Sequence, residues 1–95
     1  MENMTVHDIY PEMVRRLCQA VDKCRAGDWS EAALQGIIGE AVDTFLSPQT
    51  RNERQFLRHI DSELETVRFM MNSKESNTKI QEILAKLEER YCENA

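Results

Sequence analysis

The sequence predicts an all-α chain, one domain over residues 1–95 folded as an antiparallel bundle of about four helices. Three observations carry this. Apolar residues recur at three- and four-residue steps along most of the chain, the mark of helices that are apolar on one side. β-branched residues never alternate with polar ones over a strand length, so a sheet has no support. The two prolines and three glycines stand as punctuation rather than spread as in a disordered chain.

The elements follow in order. Thr5 and Asp8 have the spacing to cap a short opening turn. A first helix is predicted over residues 11–26: Pro11 suits the opening turn, and Gly27 suits the left-handed residue that closes a helix. Met13, Val14, Leu17, Cys18, Val21 and Cys24 share one stripe. A second helix is expected over residues 29–46, with Asp28 as N-cap and Glu31 completing a capping box. Its stripe of Leu34, Ile37, Ile38, Ala41, Val42 and Phe45 is the cleanest in the chain, which marks it as the central helix. After Ser47-Pro48 a third helix is expected to Met71, with Thr50 and Glu53 as a second capping box and a stripe of Phe56, Leu57, Ile60, Leu64, Val67 and Met71. Residues 72–77 contain no apolar side chain and read as an exposed loop. Thr78 and Gln81 then open a last helix that carries Ile80, Ile83, Leu84, Leu87 and Tyr91. Residues 1–9 and 92–95 are expected to be loosely ordered. Four one-sided helices with no sheet to cover them must bury their stripes against one another.

Composition bounds the function. A chain of 95 residues builds one modest core and needs no disulfide for it. Three cysteines are an odd count, and Cys18 and Cys24 sit inside helical stretches, so reduced core thiols and a cytoplasmic setting are the expectation. No apolar run reaches the length of a membrane span. A net charge of −5 and a pI near 5.0 argue against nucleic acid and anionic membranes as partners, because phosphate must be met by a basic face. The charge is unevenly placed: residues 31–50 hold Glu31, Glu40 and Asp43 and no Lys or Arg.

Chemistry has little to build on. His7 and His59 are the only histidines, and Cys18 and Cys24 lie about 120° apart around a helix, which is poor for sharing a metal ion. His59 and Glu63 pair as ordinary helix neighbours would. No glycine-rich phosphate loop and no nucleophile elbow occurs. The expectation is a chain that is not an enzyme, with no catalytic residue, metal or cofactor. Arg51, Arg54 and Arg58 line one side of the third helix, but Glu53, Asp61 and Glu65 stand close enough in sequence to neutralise them, leaving a mixed-charge surface.

The more informative feature is the back of the second helix. Ala32, Gly36, Gly39 and Asp43 fall opposite its apolar stripe, with Trp29 projecting to the same side and Glu40 beside them. A glycine inside a helix is unfavourable by roughly 1 kcal/mol relative to alanine, so two on an outer face suggest that another backbone comes close, from a partner or from within the fold. Phe69 lies about 170° from the third stripe, with Met70 on its flank. It either packs against the last helix or anchors a partner. The candidate partner-binding residues are therefore Trp29, Gly36, Gly39, Glu40, Asp43, Phe69 and Met70. In size, acidity and helical content the chain is similar to bacteriocin immunity proteins, a likeness of class that no residue motif carries. The reading is a non-catalytic protein-interaction module, an acidic inhibitor, immunity factor or adaptor that occludes the surface of a partner protein, a basic one being the electrostatic match. The alternative is a homo-oligomeric structural or chaperone-like helical protein in which a second copy is the partner, and a third reading, the least supported, is a ligand- or metal-binding helical enzyme with a polar pocket between helices.

Overall fold

The computed structural model describes residues 5–70 and 72–92. Residues 1–4 and 93–95, within the ends expected to be loose, and Met71 at the expected end of the third helix lie outside the described residues. The described chain forms α1 (Val6–Ile9), α2 (Pro11–Arg25), α3 (Glu31–Thr44), a 3-10 turn (Pro48–Thr50), α4 (Arg51–Met70) and α5 (Ser73–Tyr91). No strand occurs among the described residues.

Local chemistry explains the ends. Thr5 and Asp8 form the capping box of α1, with the Thr5 amide donating to Asp8 Oδ2 at 3.1 Å. Pro11 opens α2, and Gly27 follows it with φ +84°, the left-handed conformation that a residue without Cβ adopts freely. The next helix does not begin at Trp29 under Asp28, as the sequence suggested. The Asp28 and Trp29 amides instead return to the Lys23 carbonyl at 2.9 and 3.3 Å, and Ser30 caps α3 by accepting from Ala33 N at 3.3 Å. Two cap-competent residues stood two apart, and the turn that closes α2 took the first.

Two further boundaries are corrected. Thr50 and Glu53 form no capping box: Thr50 is buried and donates from Oγ1 to the Ser47 carbonyl at 2.9 Å, while Glu53 turns to α5. Residues 73–77 are helical rather than looped. Asn72 accepts from Glu75 N at 2.9 Å, and Ser76 Oγ donates to the Val67 carbonyl at 3.3 Å, so capping and a tie to α4 hold the polar segment in the helix.

The four long helices close into an antiparallel ring in which α2 packs on α3 and α5, and α4 packs on the same two. Polar bridges cross every seam: Arg16 to Glu40 at 2.7 Å, Arg68 to Gln35 at 2.6 Å, Arg25 to Glu88 at 2.6 Å, and between α4 and α5 Arg90 to Glu53 at 2.7 Å with Lys79 and Lys86 to Glu63. The stripes turn inward as the periodicity demands, with Leu17, Val21, Leu34, Ile38, Leu57, Ile60, Leu64, Ile83, Leu84 and Leu87 essentially sealed from water. At one end the core becomes aromatic, where Phe45 meets Tyr10 and Tyr91 at ring separations of 5.3 and 6.4 Å.

The cysteines depart from the expectation of reduced thiols. Cys18 and Cys92 form a disulfide across 74 residues, with Cα atoms 5.3 Å apart. The antiparallel packing of α2 against α5 brings the residue after α5 beside the middle of α2, a proximity that no sequence spacing encodes. Cys24 remains free and half-buried.

Candidate functional site

The outer face of α3 is open. At 100° per residue Ala32, Gly36, Gly39 and Asp43 point away from Leu34, Ile38 and Ala41; Ala32, Gly36 and Asp43 are exposed and Gly39 is half-buried. A Cβ built on Gly36 or on Gly39 meets no atom within 4 Å. The crossing helix that would explain these glycines from within the fold is therefore absent among the described residues. What remains is a helix apolar toward the core, small on its back and free of basic side chains along its length.

Two carboxylates border this face with different surroundings. Glu40 sits on the α2 edge and accepts from Arg16 Nη1 at 2.7 Å, which holds its pKa below the ordinary carboxylate value. Asp43 is exposed and enters no ion pair among the described residues. The acidic character of the face thus rests mainly on Asp43, since Arg16 offsets the charge of Glu40.

The other predicted residues lie elsewhere. Trp29 is in the turn before α3, half-buried against the core, and lines a small cleft with Cys24, Leu34 and Ile80. It therefore does not project onto the α3 face, because α3 starts two residues later than expected. Phe69 and Met70 end α4 and are 71% and 80% exposed. Phe69 is not among the residues packed on the core; its ring carries the Arg68 guanidinium 5.2 Å from the centroid. The structure thus gathers Gly36, Gly39, Glu40 and Asp43, and sets Trp29, Phe69 and Met70 near the end of the bundle where α3 begins.

That end also holds an open cleft of about 550 Å³ between α3, α4 and α5, lined by Glu31, Val67, Arg68, Ser73, Ser76, Asn77 and Ile80. No histidine, cysteine or lysine lines it, and Glu31 is its one carboxylate. Cys24 lies in the neighbouring cleft, where burial first and the Glu31 charge second push its thiol pKa up and keep it protonated at neutral pH. No group of three or more His, Cys, Asp or Glu able to hold a metal ion occurs among the described residues. No helix among them is long and apolar enough to cross a membrane.

Two features escaped the sequence reading. Leu46, counted as the last turn of a helix, lies just beyond α3 and is 65% exposed. Of the acids set against the arginine row on α4, Glu53 binds Arg90 and Tyr91 instead, and Asp61 and Glu65 form no ion pair with the row among the described residues. Closeness in sequence placed Glu53 beside the row, yet a side chain at the seam with α5 is claimed by α5. Compared with models of protein families, with curated proteins and with solved structures, the chain matches none.

Proposed function

We propose that the protein is a non-catalytic interaction module that occludes a partner protein through the outer face of α3. The observation that supports this most is the small-residue back of α3, where among the described residues a Cβ on Gly36 or Gly39 would meet no atom and the Asp43 carboxylate has no ion-pair partner. Two interior glycines weaken an isolated helix, and no contact within the described fold compensates for them. A backbone or flat side chain from another protein fits against such a surface. Asp43 would steer a basic partner, and the close contact over the glycines would then slow its departure.

The test is recovery of partners from native lysate by the parent chain, by Gly36→Leu and by Asp43→Arg, each checked for helical content. Gly36→Leu is expected to fold, since a side chain there enters open space. The proposal predicts that a partner captured by the parent is lost with Gly36→Leu and weakened with Asp43→Arg. Equal recovery by all three would contradict it.

A second reading is self-association, favoured by the exposed Phe69 and Met70. Light scattering at tens of micromolar, for the parent and for Phe69→Ser, tests it: a dimer lost on substitution supports it and a monomer at every concentration removes it. The compartment belongs to the same proposal. The cytoplasmic expectation rested on thiols, whereas the Cys18–Cys92 bond weighs toward oxidising surroundings, and thiol counting on native protein reads which holds.

A further inference from the structure

We infer that the amino-terminal half of α4 is a docking site for an acidic amphipathic helix of another protein, with Arg51, Arg54 and Arg58 meeting its carboxylates and Leu46 its apolar edge. The inference concerns a different helix, and a partner surface of opposite charge, from the α3 reading, and stands independently of it.

Residues 51, 54 and 58 fall on one line of α4 that spans roughly 10 Å. They share the flank of α4 that turns toward α3, the side on which Arg68 reaches Gln35, and lie away from Glu53, Phe56 and Glu63, which face α5. None of the three forms an ion pair or side-chain hydrogen bond among the described residues. Glu53, the nearest acid in sequence, is held by Arg90 Nε at 2.7 Å and by the Tyr91 hydroxyl at 2.9 Å. The Arg54 Nε is buried without an acceptor, a state that buried donors seldom keep.

The placement is unfavourable for the free protein. Arg51 and Arg54 occupy the first turn of α4, where the helix dipole opposes positive charge, and Glu53, the acid of that turn, is engaged by Arg90 and Tyr91 rather than by them. An anionic ligand would satisfy the dipole and the solvent-facing ends of the guanidiniums together. Leu46, five residues before Arg51 at the same end of the bundle, leaves 65% of its surface in water.

These features select the occupant. Arginine forks fit carboxylates in bidentate geometry, and acids spaced three and four residues apart on a helix repeat at the interval of the row. A nucleic-acid strand requires a longer basic track. Here Asp61 and Glu65 follow the row on α4, the chain carries a net charge of −5, and a phosphate backbone makes no use of Leu46. An acidic helix with an apolar edge uses every element of the site.

The probe is a synthetic helical peptide bearing glutamates three and four residues apart along one edge and leucines along the next. Its glutamine counterpart and a single-stranded oligonucleotide serve as comparisons. Binding is read by fluorescence anisotropy and by amide chemical-shift mapping on the full chain. The glutamate peptide should bind saturably, shift Leu46 and residues 48–58, and weaken as salt rises, while the glutamine peptide fails to bind. The double variant Arg51→Gln and Arg58→Gln alters two exposed side chains and should fold normally, yet weaken binding roughly tenfold or more. Arg51→Glu should raise the melting temperature while it weakens binding, an opposition that a purely structural role for Arg51 would not produce. The inference is overturned if the peptide does not saturate, if the double variant binds as the parent does, or if the oligonucleotide occupies this site more tightly than the peptide.

Discussion

At the level of single residues, the two glycines of α3 separate stability from function. Because a Cβ at either position meets open space, Gly36→Ala and Gly39→Ala should each stabilise the fold by about 0.5–1 kcal/mol, read as a rise in the denaturation midpoint. A loss of stability would mean that the α3 back is packed against something. The Glu53 cluster behaves oppositely. Tyr91 is buried, and burial first, then the Glu53 charge and hydrogen bond, push its pKa well above the ordinary phenol value. A group whose pKa is raised by folding contributes stability below its unfolded pKa of 10.0, and loses it as pH climbs beyond. Tyr91→Phe should therefore lower neutral-pH stability by about 1 kcal/mol and flatten the alkaline decline. Glu63 works at the acid end: burial raises its pKa, but a hydrogen bond from Lys79 and the charges of Lys86, Lys79 and His59 outweigh that and leave it below 4.5. A carboxylate lowered by folding stabilises above its unfolded pKa and ceases to as pH falls through the folded one. Glu63→Gln should accordingly shrink the loss of stability on acidification below about pH 4.5, as an acid titration of the melting temperature would show. Residue identity alone announced the glycines and Phe69. It could not reveal which acid each arginine finds, because Glu53 and Arg90 lie 37 residues apart.

At the level of elements, periodicity was a good guide to faces and a poorer one to ends. The stripes of α2 through α5 were legible because a buried face must repeat with the helical turn. The start of α3 was misread because Asp28 and Ser30 both satisfy the pattern for an N-cap, and only the folded turn decides between them. The start of α5 was misread for a different reason: residues 73–77 have nothing to bury, yet a capped polar segment still extends a helix whose remainder is anchored. Asn72→Ala should then cost about 1 kcal/mol and fray the first turn of α5, seen as faster amide exchange there with the rest unchanged. Full protection retained through residues 73–77 would show that packing rather than the cap holds that turn.

At the level of the whole molecule, four helices in a ring leave each with one outward face, and that of α3 differs from the rest in being small and free of cations. This followed from sequence, as did the all-α class, since both depend only on which residues share a helix face. The Cys18–Cys92 bond did not follow, because it needs the register of α2 against α5. Closing 74 residues, it should contribute about 4 kcal/mol in the chain-entropy account. Reduction should lower the melting temperature by many degrees, and Cys24→Ser should leave that shift intact. The central claim is that the back of α3 is where another protein sits, and site-specific photo-crosslinking tests it most directly. A photoreactive residue is placed at position 36 or 43, and at exposed Ala85 on the diagonal helix as control. Discrete crosslinked products from positions 36 and 43, with none from position 85, are the predicted result. Silence at 36 and 43, or the same products from all three, would contradict it.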